Sequence, residues 1–364
     1  MRKNTLTIRM LFNVEGQVFN VGNESTKKRY DPIFGRSYGY ASADNVKHNI
    51  RESYLELCNK TTDKTYFMKD VSNNEKDKQG AVYTEASIDN EYYWLFGLWN
   101  ADDKFKKAKY AKSSLKSAIN ISDMLPIHPL LCKMDKQCGT RTGNSNDSVC
   151  FCKGDNVFYT PEELAKGVSL SIEEAVERFK NTRPANFYNK NETSSGLFYV
   201  DYVINLNDIK YVNISNFTLD DEDKKYFKDR GFKFTMLNNT ERMKVPTDIA
   251  IEAFNYLVES LFDWDFSSNN ATHGSIKERL RTTVALNNTS LWQQSTIAIV
   301  DENNKSASLQ LFTREEEKWT NVDCYNSELL RKFYNKQEID YDIFADENAM
   351  KKIKEIGSKV LTEI

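Results

Sequence analysis

Gly39-Tyr-Ala-Ser-Ala-Asp-Asn-Val-Lys-His-Asn-Ile-Arg-Glu52 follows a glycine-punctuated loop and reads as the opening of a helix running to about Cys58. On a helical wheel Val46, Ile50 and Leu57 fall on one side, with Tyr54 at its border, while Asp44, Lys47, His48 and Arg51 recur at i, i+3, i+4 and i+7 on the other. One face can enter a core while the opposite face carries cations near the helix start, where backbone amides attract anions. The pattern suits a phosphate backbone. Taken alone, it suits better a helix whose polar face is simply wet. Ser42 or Asp44 is the expected N-cap in either case.

Upstream, Leu6 to Phe12 (LTIRMLF) reads as a strand, followed by a loop from Asn13 to Tyr40 with Gly16, Gly22, Gly35, Gly39 and the cluster Lys27-Lys28-Arg29. Downstream, residues 59 to 90 are polar and read as an insertion, and Tyr92 to Trp99 (YYWLFGLW) is densely aromatic. The strongest basic run is Lys104 to Lys116 (KFKKAKYAKSSLK). Thr160-Pro-Glu-Glu163 and Ser171-Ile-Glu-Glu174 are capping boxes, the second starting a helix with Ile172, Ala175, Val176 and Phe179 on one face. Thr182 to Gly196 is a polar loop, and Leu197 to Leu206 (LFYVDYVINL) alternates as a strand. Residues 247 to 264 form a buried helix with Thr247 as N-cap. Ser295 to Val300 and Ala307 to Phe312 suggest a hairpin, and Ala345 to Ile364 an amphipathic helix within an acidic extension from Thr313. This order predicts a single α+β, ferredoxin-like domain over residues 1–364 with large insertions.

The chain has 364 residues, 40% of them hydrophobic, enough for a sizeable core. Its 50 Lys and Arg oppose 53 Asp and Glu, so any nucleic-acid surface must be a local stripe. The N-terminus is too polar for a secretory h-region, and no apolar run reaches the roughly 18 residues that span a bilayer. A cytoplasmic protein with no membrane partner is expected.

Cys132, Cys138, Cys150 and Cys152 are spaced C-x5-C-x11-C-x-C on a Gly/Asn/Lys-rich stretch, approximately residues 125 to 160, with His128 just before them. Four soft ligands can hold a structural zinc and so order a loop that has no core. The usual C-x2-C pairs are missing, so free thiols remain the other reading. No Ser/His/Asp or Cys/His set, phosphate-binding glycine loop or zinc-protease motif is visible, and no enzymatic activity is expected. Asp31 and Asp44 suit turn and cap roles better than RNA cleavage.

Several segments together resemble the Cas-seven backbone family of type I CRISPR Cascade complexes, a RAMP-superfamily lineage, especially its DevR-like branch. The first strand leads into a loop with Asn20, then into Ser42-Ala-Asp-Asn-Val-Lys-His-Asn-Ile-Arg-Glu52, similar to the family's small-residue-led helix ending in basic, x, x, Ile, Arg, Glu. Gly97 within Trp94-Leu-Phe-Gly-Leu-Trp resembles its aromatic-Gly segment, and Tyr110 to Ser122 (YAKSSLKSAINIS) its basic, Ser, x-Leu-x-Val-Ser run. The strand from Leu197 to Leu206 matches a later strand in order and character. These patches span roughly residues 5 to 300.

The resemblance implies an RRM-like palm with finger and thumb insertions, the loop 182–196 being thumb-like. It implies polymerisation of copies along a CRISPR guide RNA (crRNA), pairing of the presented guide with target DNA, and contacts with other Cascade subunits. By motif position, Lys47, His48 and Arg51 would contact guide phosphates, Ser42 and Asn45 would hydrogen-bond the same backbone, Asn20 and Arg36 would lie in the RNA-facing loop, and Lys112 and Lys116 in a second RNA-facing stretch. Sequence-tolerant binding through phosphates fits that assignment, and head-to-tail contacts make a helical filament. The cysteine cluster and the acidic C-terminal extension (313–364) depart from the family pattern. Two rivals follow: a type III-like backbone subunit that cleaves target RNA, and a zinc-stabilised protein-interaction module.

Overall fold

The computed structural model describes residues 4–19, 27–32, 34–68, 81–84, 86, 89–99, 114–138, 150–152, 157–159, 171, 173–174, 190–217, 219–266, 276–286, 296–301, 306–315, 318–326 and 346–364. In chain order the elements begin β1 (Thr5–Gln17), β2 (Lys28–Asp31), β3 (Arg36–Gly39), α1 (Ala43–Cys58), β4 (Thr65–Met68), β5 (Ala81–Thr84), α2 (Glu91–Phe96) and β6 (Leu98–Trp99). Next come β7 (Ser114–Leu115), β8 (Ile119–Ile121), β9 (Leu125–Pro126), β10 (Cys132–Cys138), β11 (Cys150–Cys152), β12 (Val157–Tyr159) and β13 (Lys190–Asn205). They continue with α3 (Leu206–Lys210), β14 (Tyr211–Asn213), α4 (Asp221–Asp229), β15 (Lys233–Leu237), β16 (Thr240–Lys244) and α5 (Thr247–Asp263). Last are β17 (Ile276–Leu286), β18 (Thr296–Asp301), β19 (Ser306–Glu315), β20 (Lys318–Asn326) and α6 (Asp346–Glu363).

The main sheet has the order β10-β13-β1-β17, with β8 and β9 also pairing β13, and β1 runs antiparallel to both neighbours. The period-2 pattern of β1 puts Leu6, Ile8, Met10, Phe12 and Val14 on one face, all essentially buried, and β13 matches them with Phe198, Val200, Tyr202 and Ile204. The same core takes Val46, Ile50 and Tyr54 from α1 and Ala250, Phe254, Leu257 and Leu261 from α5. Each such large side chain contributes about 1.5–3 kcal/mol by burial. On the opposite face, Arg9 Nε and Nη2 donate to Asp201 Oδ1 and Oδ2, both at 2.8 Å, and the guanidinium lies 4.5 Å from the Tyr199 ring centre.

The chain forms two compact units, one of Met1–Gly22, Thr26–Met134 and Thr193–Ile364, the other of Asn23–Ser25 and Asp135–Glu192. Mixed helices and antiparallel sheets make the fold α+β.

Several boundaries differ from the sequence reading. β1 continues to Gln17, and the presumed loop 13–40 contains the β2–β3 hairpin. The polar insertion contains the β4–β5 hairpin, and the aromatic segment is a short helix whose Asn90 cap accepts from Tyr92 N at 3.1 Å. The thumb-like loop yields to strand from Lys190. Leu57 is 37% exposed, while Asn49 and Ser53 take its place in the buried face of α1. Pro246, not Thr247, occupies the α5 cap position, and Thr247 Oγ1 accepts from Lys210 Nζ at 2.6 Å. β17, unread in the sequence, is an edge strand of the main sheet, and β20 adds a third strand to the β18–β19 hairpin. The reciprocal bonds of the Ser171/Glu174 capping box are present, each at 3.1 Å. The Thr160 box lies outside the described residues, as do Ile172, Ala175, Val176 and Phe179 of the helix assigned to the second box.

Candidate nucleic-acid interface

The start of α1 is fixed from outside the helix. Ser42 adopts an extended cap conformation without a side-chain cap bond; instead Ala43 N donates to Asp123 Oδ1 at 2.7 Å. Asp123 Oδ2 also pairs with Arg29, whose guanidinium lies 4.4 Å from the Tyr40 ring centre. Ala41 and Met124 exchange backbone bonds of 3.2 and 2.8 Å. Asp44, the other expected cap, is exposed in the first turn.

One turn further on, Lys47 Nζ donates to Ser117 Oγ at 3.0 Å. Ser117 Oγ lies 2.8 Å from Leu95 O and 2.6 Å from Ile119 O, tying residues 114–121 to the aromatic helix α2. Arg51 Nη2 donates to Phe96 O at 3.0 Å, with its guanidinium 5.8 Å from the Phe96 ring centre. Gly97, at φ 84°, lets the chain pass close by: a Cβ there would meet Leu115 O and Ser117 N at 3.1 Å each. The first helix and residues 114–121 therefore form one frame.

The four polar residues grouped by the helical wheel separate in the structure. His48 is exposed and lies 4.0 Å from Glu52, whereas Lys47 and Arg51 are half-buried against protein acceptors. Burial, with the Arg51 charge beside it, pushes the Lys47 ammonium down to about 8, and Asp44 offsets part of the shift. Lys47 is thus a desolvated cation for which an arriving anion would be a strong partner. Asn45 directs its carbonyl to Asn49 Nδ2 at 2.8 Å. Arg36 is exposed on β3.

Lys116 is exposed and lies 3.9 Å from Asp208 Oδ2, at the rim of a concavity of about 230 Å³ that also includes Trp94, Asn205, Asn213 and Arg242. Asp208 is already engaged by Arg242 at 3.3 Å and Asn205 at 2.6 Å. Asn20 and Lys112 lie outside the described residues.

Cys132 is buried, its thiol donates to Pro129 O at 3.4 Å, and burial pushes it up to about 11, with Arg36 offsetting part of the shift. Cys138 ends β10, and Cys150 and Cys152 bound β11. His128 Nδ1 accepts from Leu130 N at 3.1 Å, and its ring meets Phe34 edge-on at 4.8 Å. Among the described residues no group of three or more His, Cys, Asp or Glu is arranged to hold a metal.

The sequence reading missed Asp123 and the structural role of Ser117. Ser117 lies inside the quoted segment Tyr110 to Ser122, but nothing local marks Asp123 as the cap of a helix 80 residues away.

No protein-family model and no curated protein matches the chain. Among solved structures, it is similar to a chain of a CRISPR RNA-guided surveillance complex at 10% identity and a TM-score of 0.39, covering 77% of this chain and 68% of that one. It is likewise similar to a chain of a CRISPR RNA-guided surveillance complex in a pre-nicking state at 8% identity and a TM-score of 0.42, covering 94% and 90%.

Proposed function

We propose that this chain is a guide-RNA-binding backbone subunit of a type I CRISPR Cascade effector, polymerising head to tail along the guide and leaving its bases free to pair with target DNA. The observation that carries the reading is the Lys47–Ser117 bond, which joins the first helix to residues 114–121, the described part of the second family-like segment. The two segments that most resemble the backbone family are therefore neighbours in space. The order β10-β13-β1-β17, with α1 after β1 and α5 before β17, supports a ferredoxin-like, RRM-like palm. The β4–β5 hairpin and the unit of residues 135–192 correspond to finger and thumb insertions in this reading.

Within the frame, Lys47 and Arg51 hold the surface together, and Lys47 retains N–H donors for a phosphate. His48, Lys116 and Arg36 are the exposed contributors. Asp31 Oδ1 accepts from Phe34 N at 3.0 Å, a turn-forming role that lends no weight to an RNA-cleaving rival.

The test uses exposed residues, because Lys47→Ala or Arg51→Ala also removes a structural bond. In His48→Ala/Lys116→Glu, affinity for guide-length single-stranded RNA should fall at least tenfold, with the salt slope reduced by about 0.7 for each phosphate no longer neutralised. Unchanged affinity, in a variant with wild-type unfolding, would remove this surface from the binding site.

A further inference from the structure

We infer that the concavity lined by Lys116, Asn213 and Arg242 is a binding site for an organic phosphate monoester, of the class of a nucleoside monophosphate. Its walls all belong to one compact unit. Asn213 of β14 and Arg242 of β16 are register partners in an antiparallel pair, so their side chains stand side by side on one face of the β14-β16-β15 sheet. Lys116, directly after β7, lines the same cavity. The β7 segment is tied to the chain following β14, because Asn216 Nδ2 donates to Ser114 Oγ at 2.7 Å.

The cavity is rich in hydrogen-bond donors that the protein leaves unused. Arg242 donates through Nη1, to Asp208 Oδ1 at 3.3 Å and Tyr211 O at 3.0 Å, and among the described residues its Nη2 meets no acceptor. Asn213 uses its oxygen, which accepts from Ser215 N at 3.0 Å and Ser215 Oγ at 2.8 Å, so the Nδ2 hydrogens are left over. Lys116 Nζ comes no nearer to Asp208 than 3.9 Å, beyond hydrogen-bond length. The one carboxylate of the lining is the opposite case: Asp208 is taken by Arg242 and by Asn205 Nδ2 at 2.6 Å. With Lys116 and Arg242 set against Asp208 alone, the cavity carries a net positive charge. Donors from β14, β16 and the end of β7 suit the several terminal oxygens of a tetrahedral phosphate, whereas a planar carboxylate would be met by the arginine fork by itself. The volume of about 230 Å³ matches about seven waters of liquid, more than a bare phosphate needs. The rest of the lining is the buried, apolar set Trp94, Leu115 and Val212, which suits the carbon frame of an ester.

The test is calorimetric titration of the full chain with uridine 5′-monophosphate, in wild type and in Asn213→Asp. The aspartate keeps the oxygen that accepts from Ser215 and replaces the Nδ2 donors with a negative oxygen, so the turn survives while the anion is repelled. Affinity should fall about tenfold or more, the scale of one lost hydrogen bond to a charged group. Uridine should give no saturable heat, and inorganic phosphate should bind more weakly than the nucleotide. Absence of saturable nucleotide binding in the wild type overturns the site, as does equal affinity in a folded Asn213→Asp; uridine or inorganic phosphate binding as tightly as the nucleotide overturns the ester assignment. Competition identifies the source of the phosphate. A short RNA with a 5′-phosphate that displaces the nucleotide, where its 5′-hydroxyl twin does not, supports a strand end; failure of both to displace it supports a free nucleotide. Equal displacement by both places a backbone diester in the cavity and overturns the monoester. The site does not rest on the guide-RNA reading: a chain that takes up the nucleotide but no guide-length RNA would sink that reading and leave this one standing.

Discussion

If the proposed surface binds RNA, affinity should weaken as pH rises through 8, because Lys47 would enter the interaction as a cation that burial has made easy to deprotonate. Its ammonium, hydrogen-bonded to Ser117 Oγ and close to Arg51, loses its proton near pH 8 in the free protein. A phosphate beside it restores the charge preference toward the ordinary lysine value of about 10.4. The bound state thus holds the proton more firmly than the free state. Binding takes up that proton above pH 8, so affinity is full below pH 8, declines between 8 and about 10.4, and levels off beyond. For one fully coupled site the charged fraction falls from about nine-tenths at pH 7 to about one-tenth at pH 9, an affinity loss of about tenfold. Lys47 is partly exposed, so solvent screening reduces this to about three- to tenfold.

Fluorescence anisotropy with a labelled single-stranded RNA at pH 7, 8 and 9, at one ionic strength, measures the effect. Lys47→Arg is the control: a guanidinium can still donate to Ser117 and stays charged throughout, so its profile should be flat. If wild type and Lys47→Arg give the same pH profile, Lys47 does not meet phosphate and the reasoning from its burial fails.

The scaffold yields further expectations. Arg9→Ala removes the bidentate partner of the Asp201 carboxylate, and urea unfolding should show a loss of about 3 kcal/mol, partly recovered in Arg9→Met/Asp201→Leu. Gly196, at φ 135°, passes so close to Cys132 Cα that a Cβ would lie 2.6 Å from it; Gly196→Ala should cost about 3 kcal/mol, against about 1 kcal/mol for Gly16→Ala, which meets open space at φ 65°. Gly357→Ala drives a methyl group into the Phe254 ring across the α5–α6 contact, and limited proteolysis should then cut near α6 at concentrations that spare the wild type.

Much of the core was legible because it rests on local periodicity. Val46, Ile50 and Tyr54 of α1, and the alternating residues of β1 and β13, face inward as their spacing requires. What escaped depends on partners distant in sequence. Asn49 and Ser53 are buried although polar because Asn45 O and Asp263 Oδ2 satisfy them at 2.8 and 2.9 Å. The strand 276–286 reads as charged rather than alternating because Lys277 and Arg279 set their charged heads over the Trp264 and Phe262 rings and donate to Trp264 O and Phe262 O. Such residues suit an edge strand, where one side needs no ladder partner. In the candidate interface the helix was legible and its use was not: no local signal tells a lysine that clamps Ser117 from one that is simply solvated.

Asp123 sharpens where an anion can bind. The amide of Ala43, the first donor at the α1 N-terminus, is taken by a carboxylate, so the positive end of the helix is already met by a negative charge. A phosphate placed there would face Asp123 directly. The favourable position moves one turn along, to Lys47 and His48, and across to Lys116. Asp123→Asn separates the two roles of the residue: the amide oxygen still accepts from Ala43 N, while the charge disappears and Arg29, itself 42% exposed, is released. Stability should change by less than about 1 kcal/mol, since the cap is kept and the broken ion pair is partly solvated. RNA affinity should rise about two- to fivefold, the scale of one helix-terminus charge, and the gain should shrink with added salt. Weaker binding in Asp123→Asn with unchanged unfolding would mean that RNA relies on the Arg29–Asp123 pair to hold the β2–β3 hairpin, and would shift the interface from α1 to that hairpin.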